Sequence, residues 1–134
     1  MKFHHIGLFV ADLDAGRRHL QGLLPIAATS AVIEDAGLKV RVQFCTDQSG
    51  VRYELVAPFG EGNPVDGALA SGKGILNHVA YTVADLDAAL TAVRAQGCIP
   101  LGRPQPAVAF GGQRVMFFMS PLRFIIELIE GEHA

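Results

Sequence analysis

The first 57 residues contain four short apolar segments and, between the first two of them, one amphipathic segment. Residues 3–10 are apolar and rich in β-forming side chains, which predicts a strand. Leu13, Leu20 and Leu24 then fall on one face of a helix. Asp12 is a residue type that caps helix N-termini, so we predict a helix from there to about residue 24. Turn-forming residues separate the next apolar segments, which predicts three more strands at 26–34, 38–46 and 51–57.

The same order of elements restarts in the second half of the chain. Residues 75–83 predict a strand, and Asp85 would cap a helix in which Leu86, Leu90 and Val93 share one face. A short edge segment and two strands are then predicted, at 99–101, 113–119 and 124–130. The stretch in between, 58–74, is rich in glycine and proline and predicts a linker with one short helical turn.

A single offset relates the two halves. The hexapeptide Val-Ala-Asp-Leu-Asp-Ala occurs at 10–15 and again at 83–88, which is 73 positions later (83 − 10 = 73). We infer two copies of one strand–helix–three-strand module, with module one at 1–57, the linker at 58–74 and module two at 75–134. One copy alone would leave a sheet face unburied, so we expect the copies to pair in a single domain. The predicted fold class is α+β: two tandem βαβββ modules that form an eight-stranded open curved sheet around a cleft.

Composition narrows the function classes. The chain has 134 residues, 18% of them charged, with a net charge of −2. This balance gives no electrostatic case for nucleic-acid binding, which needs a basic patch or stripe. Cys45 and Cys98 have no metal-binding or disulfide spacing, which predicts two reduced thiols. No apolar stretch is long enough to span a membrane, and the first residues lack the apolar core of a signal peptide. We expect a cytoplasmic protein with no membrane partner.

Four polar residues on predicted strands obey the same offset as the hexapeptide. His5 and His78 are 73 positions apart, and so are Glu54 and Glu127 (78 − 5 = 127 − 54 = 73). Each residue alone has an ordinary explanation: a structural histidine, a solvent-facing glutamate, or an ion pair between Glu54 and Arg52. A carboxylate within the apolar run Phe-Ile-Ile-Glu-Leu-Ile, however, would be costly to bury without a cation or several donors. The shared offset therefore favours one metal site built from all four residues.

The donor set indicates the kind of ion. Two imidazoles and two carboxylates suit Mn, Fe, Co, Ni or Zn, whereas calcium prefers oxygen ligands alone. A six-coordinate ion would keep two positions for water or substrate, as catalytic metal sites require. His4 faces the other side of its strand, so we expect a surface or supporting role for it. The donor set does not select one ion within this group.

With these residues in view, the chain resembles the vicinal oxygen chelate superfamily, which includes glyoxalase I, methylmalonyl-CoA epimerase, extradiol dioxygenases and fosfomycin-resistance proteins. The resemblance extends over essentially the whole length and is carried by His-His-Ile-Gly-Leu-Phe-Val-Ala-Asp-Leu at 4–13, Tyr-Glu-Leu-Val-Ala-Pro at 53–58, Leu-Asn-His-Val-Ala-Tyr at 76–81 and Ile-Glu-Leu-Ile-Glu at 126–130. It implies that His5, Glu54, His78 and Glu127 are the metal ligands. It also implies a homodimer.

Within the superfamily, several segments resemble methylmalonyl-CoA epimerases. These are residues 57–65, 74–78 and 111–118. Two features depart from that pattern. The segment at 120–124 is short, as in bacterial glyoxalase I, and Asn77 stands where epimerases commonly have a histidine.

The resemblance implies a metal-dependent isomerase or epimerase. Such an enzyme removes and returns an α-proton of a carbonyl compound or acyl-CoA thioester through a metal-stabilised enolate. Glu127 is the first expected base, because apolar surroundings would raise its basicity, and Glu54 is its counterpart on the opposite side. A coenzyme A ester would also need phosphate contacts, for which Lys73, Arg103 and Arg114 are candidates that an ordinary mixed-charge surface explains equally well.

Two alternatives stay open. One is a glyoxalase I-type lactoylglutathione lyase, and the other is a non-catalytic small-molecule-binding protein of the drug-resistance type. A ring-cleaving dioxygenase is disfavoured, because its iron prefers two histidines and one carboxylate and would leave one glutamate without a role.

Overall fold

In the computed structural model, the described residues are 1–72 and 77–133, and they form ten strands in an open mixed sheet together with three α-helices. The strands are β1 Lys2–Phe9, β2 Ile26–Thr29, β3 Ile33–Asp35, β4 Val40–Asp47, β5 Arg52–Pro58, β6 His78–Val83, β7 Ile99–Pro100, β8 Gln105–Pro106, β9 Arg114–Met119 and β10 Ile125–Glu130. The helices are α1 Leu13–Leu23, α2 Pro64–Ala70 and α3 Leu86–Ala95. The predicted α+β class is confirmed.

The chain contacts define two compact units. One contains His5–Asn77, and the other contains Met1–His4 together with His78–Ala134. The compact unit that contains the second module thus also includes the first four residues of the chain. The assignment of 1–134 to a single domain, with a linker at 58–74, stays a prediction.

The unit of His5–Asn77 is a sheet with helix α1 packed on one face, and it also contains α2. Its strands lie in the order β2-β4-β5-β1, with β3 also paired to β4, and only β1 and β5 run parallel. Helix α1 begins where the Asp12 carboxylate accepts a hydrogen bond from the Ala15 amide. Leu13 and Leu20 of this helix pack on Cys45 and Leu55, which forms the core of the unit.

The other unit repeats this construction. Its strands lie in the order β6-β10-β9-β7, with β8 also paired to β9 and with β6 and β10 parallel. Asp85 accepts a hydrogen bond from the Ala88 amide at the start of α3, as Asp12 does for α1. Leu86 packs against Phe118 and Leu128. Both predicted helix caps are confirmed.

The strand count differs from the eight predicted, for two local reasons. The predicted strand at 26–34 is interrupted after β2, because the Ser30 hydroxyl accepts a hydrogen bond from the Phe44 amide in place of a ladder bond. The prolines of the second half limit β7 and β8 to two residues each, and these short strands form the sheet edge beside β9. The predicted strand at 75–83 begins at His78, and its residues 75 and 76 lie outside the described residues.

Neither cysteine forms a disulfide, in agreement with the prediction of free thiols. Cys45 is fully buried under α1, and burial raises the pKa of its thiol. Within the described ranges, none of the helices has the length and apolar character needed to cross a membrane.

Candidate metal centre

In the first unit, His5 and Glu54 meet across two parallel strands. Gly7, two residues after His5 and on the same face of β1, lies opposite Glu54 of β5. This register brings His5 Nε2 to 3.5 Å from Glu54 Oε1. His5 has no exposed surface and Glu54 is 6% exposed. Helix α1 covers the opposite face of these strands, so the pair faces away from the helix.

The second unit builds the same pair from the same register. Ala80, two residues after His78 on β6, lies opposite Glu127 of β10. His78 Nε2 lies 3.3 Å from Glu127 Oε1, and the two residues are 3% and 4% exposed. The repeat seen in the sequence is therefore also a repeat of side-chain geometry. Each copy contributes one imidazole and one carboxylate in contact.

The four residues form one buried group. His5, Glu54, His78 and Glu127 each offer one ligand atom, and these four atoms all lie within 4.8 Å of one another. Ligands about 2.0 to 2.2 Å from a shared ion lie roughly 3 Å apart when adjacent and roughly 4 Å apart when opposite. The spacing and the donor types thus fit a borderline divalent ion, and two carboxylates balance its charge. The group can hold a metal.

His4 lies outside this group. It is buried and packs edge-to-face against Phe110, with ring centroids 5.3 Å apart, and its ring lies 6.5 Å from that of His133. The structure thus gives His4 a packing environment within its own unit. It is a buried residue rather than a surface one.

Two phenylalanines beside the histidines were missed by the sequence reasoning. Phe44 packs edge-to-face on His5 with a centroid distance of 5.6 Å, and Phe117 packs on His78 at 5.3 Å. They are 73 positions apart (117 − 44 = 73), the offset that relates the four candidate ligands. The same offset, applied to the aromatic residues, would have found them in the sequence.

Arg114 is engaged in ion pairs. Its guanidinium donates to both carboxylate oxygens of Glu130, at 3.0 and 2.8 Å, and also to Asp87. The Leu86 amide at the start of α3 donates to the same Glu130 carboxylate at 2.9 Å. The hydrogen bonds from Arg114, followed by the one from Leu86, lower the pKa of Glu130 to about 2. The hydrogen bonds to Glu130 and then to Asp87 raise the pKa of Arg114.

Arg114 therefore has a structural explanation that needs no phosphate. It links β9, β10 and the first turn of α3. Of the other two candidates for phosphate contacts, Arg103 is exposed and Lys73 lies outside the described residues.

Comparison with known proteins places the chain in a family. The sequence profile of the glyoxalase/bleomycin resistance protein/dioxygenase superfamily matches residues 4–117. An ethylmalonyl-CoA/methylmalonyl-CoA epimerase from Cereibacter sphaeroides is 30% identical over 117 residues, which covers 87% of this chain and 86% of that protein. This chain belongs to the glyoxalase/bleomycin resistance protein/dioxygenase superfamily.

Solved structures show the same fold. Methylmalonyl-CoA epimerase from Mycobacterium tuberculosis aligns with a TM-score of 0.79 at 23% identity, covering 98% of this chain and 89% of the other. A Streptomyces coelicolor methylmalonyl-CoA epimerase variant in complex with 2-nitronate-propionyl-CoA aligns with a TM-score of 0.77 at 23% identity, covering 98% and 94%. At these identities the likeness establishes the fold, and the resemblance to epimerases read from the sequence agrees with it.

Proposed function

We propose that this protein is a divalent-metal-dependent epimerase acting at the α-carbon of an acyl-CoA thioester. The observation that carries the proposal is the buried group of His5, Glu54, His78 and Glu127. It occurs in a chain 30% identical to an ethylmalonyl-CoA/methylmalonyl-CoA epimerase. The four residues are the proposed ligands, and Glu127 and Glu54 are also the proposed bases.

The bound ion would supply a positive charge that stabilises the enolate oxygen of the substrate as it develops. The proton chemistry belongs to the chain's own carboxylates. One glutamate oxygen takes the α-proton, the electron pair of the C–H bond moves into the enolate, and a proton returns to the α-carbon from a carboxyl group. Return to the opposite face inverts the centre, which is the reason to assign one carboxylate to each face.

Glu127 is proposed as the first base because of its neighbours. Ile125 and Ile129 flank it on the same face of β10, and Ile129 has no exposed surface. Glu54 instead shares its face with Val56 and the half-buried Arg52. An apolar environment solvates a carboxylate poorly and so favours its protonated form.

A glyoxalase I-type lyase is the second candidate, and the turn between β9 and β10 favours it. The Ser120 amide donates to the Phe124 carbonyl, and the Arg123 amide donates to the Ser120 carbonyl, both at 3.0 Å. Residues 120–124 therefore close a tight turn with Arg123 in the left-handed region (φ 68°). This is the short connection that resembles bacterial glyoxalase I.

The test is proton exchange in deuterated water. The metal-loaded protein is incubated with methylmalonyl-CoA and, separately, with the glutathione–methylglyoxal adduct. Deuterium incorporation at the thioester α-carbon supports the epimerase, whereas lactoylglutathione formation supports the lyase. If neither substrate reacts while metal is bound, both proposals are wrong and the small-molecule-binding alternative is favoured.

A matched pair of variants tests whether the proton exchange takes place at the proposed metal site. Glu127→Gln should lose the exchange, because an amide does not accept the proton. Glu132→Gln makes the same chemical change at an exposed position and should retain it.

A cytoplasmic location and a homodimer complete the proposal. The two free thiols support a reducing compartment. Light scattering coupled to size-exclusion chromatography measures the oligomeric state, and a mass equal to one 14.3 kDa chain would contradict the dimer.

A further inference from the structure

Each proposed histidine ligand lies against an aromatic ring of its own unit. The interplanar angle is 71° between Phe44 and His5 and 83° between Phe117 and His78, so both contacts are edge-to-face. Edge-to-face contact is a favoured arrangement of aromatic rings, worth more than the area it buries. The imidazoles are almost completely buried, while both phenylalanines are half-buried.

The same phenylalanines are also the cross-strand neighbours of the proposed glutamate ligands. Phe44 lies opposite Glu54 in the antiparallel pair of β4 and β5. Phe117 lies opposite Glu127 in the pair of β9 and β10. Residues directly opposite each other in a sheet point to the same face, so each ring stands on the face that carries the ligands.

We infer that Phe44 and Phe117 are positioning residues for the metal ligands, an inference that rests on the proposed metal site. The torsion that turns an imidazole about its bond to the side chain has a broad energy minimum. A ring packed against one side narrows that range. It keeps Nε2 of His5 and His78 directed at the carboxylates 3.5 and 3.3 Å away.

Phe118 is an aromatic residue of the core, and its surroundings differ from those of Phe117. It is the next residue on β9, has no exposed surface, and packs with Leu86 and Leu128 on the helix-covered face. Phe117 buries less of its surface and lies on the other face. Substitution of Phe117 therefore tests ligand positioning, and substitution of Phe118 tests the stability of the core.

The experiment is a cobalt titration of the metal-free protein followed by visible absorption, which reports the ligand arrangement directly. Phe117→Leu and Phe44→Leu should each weaken Co²⁺ binding about two- to tenfold, the range expected for loss of one aromatic pair. Both should also alter the cobalt spectrum. The melting temperature of the metal-free protein should fall less for either variant than for Phe118→Leu.

Phe118→Leu is the control, with the same chemical change on the same strand. It should lower the melting temperature of the metal-free protein and leave the cobalt affinity and spectrum of the folded protein unaltered. The inference is wrong if Phe117→Leu and Phe44→Leu bind cobalt as the unaltered protein does, or if Phe118→Leu changes the spectrum equally. A failure of the unaltered protein to bind cobalt at all would overturn the proposed metal site itself.

Discussion

At the scale of single residues, the acid–imidazole pairs follow from strand geometry. Side chains alternate between the two faces of a strand, so a residue's parity decides whether it meets the helix or the ligand face. Glu127 and Glu130 lie on the same strand with opposite parity. Glu127 lies beside His78, and Glu130 lies beside Arg114. Two carboxylates three residues apart thus have different partners and different chemistry.

Substitution of Glu127 should remove most of the bound metal. Changes to residues that only support a ligand typically lower metal affinity 10- to 100-fold, so Glu127→Gln, which replaces a proposed ligand, should cost about 100-fold or more. Elemental analysis after dialysis measures this, with Glu132→Gln as the control. Metal content equal to that of the unaltered protein would show that Glu127 is not a ligand.

Glu130 should make stability depend on pH in the acid range. Its pKa is about 2 in the folded protein, below its ordinary value of 4.5, because Arg114 and the Leu86 amide stabilise the carboxylate. The folded state thus binds the proton less readily than the unfolded chain does. The stabilisation is complete above about pH 4.5 and is lost as the pH falls toward 2.

Melting temperatures measured from pH 6 to pH 2 test this expectation. Glu130→Gln should lower the melting temperature at pH 6, and the difference from the unaltered protein should shrink as the pH approaches 2. A difference that stays constant over this range would show that the carboxylate charge contributes nothing.

At the scale of elements, helix α1 contains two glycines in different surroundings. A Cβ added at Gly16 would lie 2.9 Å from Val10 Cγ1 and 3.1 Å from Val10 Cβ, whereas one added at Gly22 would meet nothing within 4 Å. The glycine at 16 therefore allows the close approach of the helix to the end of the first strand. The glycine at 22 carries only the entropic cost of glycine in a helix.

The same substitution should have opposite effects at these two positions. Gly22→Ala should stabilise the protein by about 0.5 to 1 kcal/mol, because alanine reduces the freedom of the unfolded chain. Gly16→Ala should destabilise it by about 1 to 3 kcal/mol, because the branched Val10 side chain has little room to move. Urea denaturation measures both, and a stabilised Gly16→Ala variant would contradict the close contact.

The elements also show which features of the fold were readable from the sequence. Asp12 and Asp85 marked two helix starts, because a cap acts within three residues of its own position. The break after β2 was not predicted, because it depends on a hydrogen bond between Ser30 and Phe44, fourteen positions apart. Local chemistry was predictable from the sequence, and longer-range partners were not.

At the scale of the whole molecule, metal binding should stabilise the fold. A ligand that binds only the folded protein adds about 2.7 kcal/mol when its free concentration is 100 times the dissociation constant. Chelation should therefore lower the melting temperature, and adding back the metal should restore it. We expect one ion per chain, since all four ligand atoms belong to one group.

Single-ligand variants give the control for this stabilisation. His5→Ala and His78→Ala each remove one imidazole, and in both the added metal should no longer raise the melting temperature. If only one of the two variants lost the effect, the ion would not be shared by all four residues.

The sequence by itself determined the duplicated module, the two helix caps and the faces on which His5, Glu54, His78 and Glu127 lie. These depend on periodicity and on a repeated offset, both of which are visible in one dimension. The tertiary structure decided the contacts. Histidine and glutamate of each pair are 49 positions apart (54 − 5 = 127 − 78 = 49), and only the parallel pairing of β1 with β5 and of β6 with β10 brings them to 3.5 and 3.3 Å. Strand register is a property of two segments together, so neither segment's own pattern contains it.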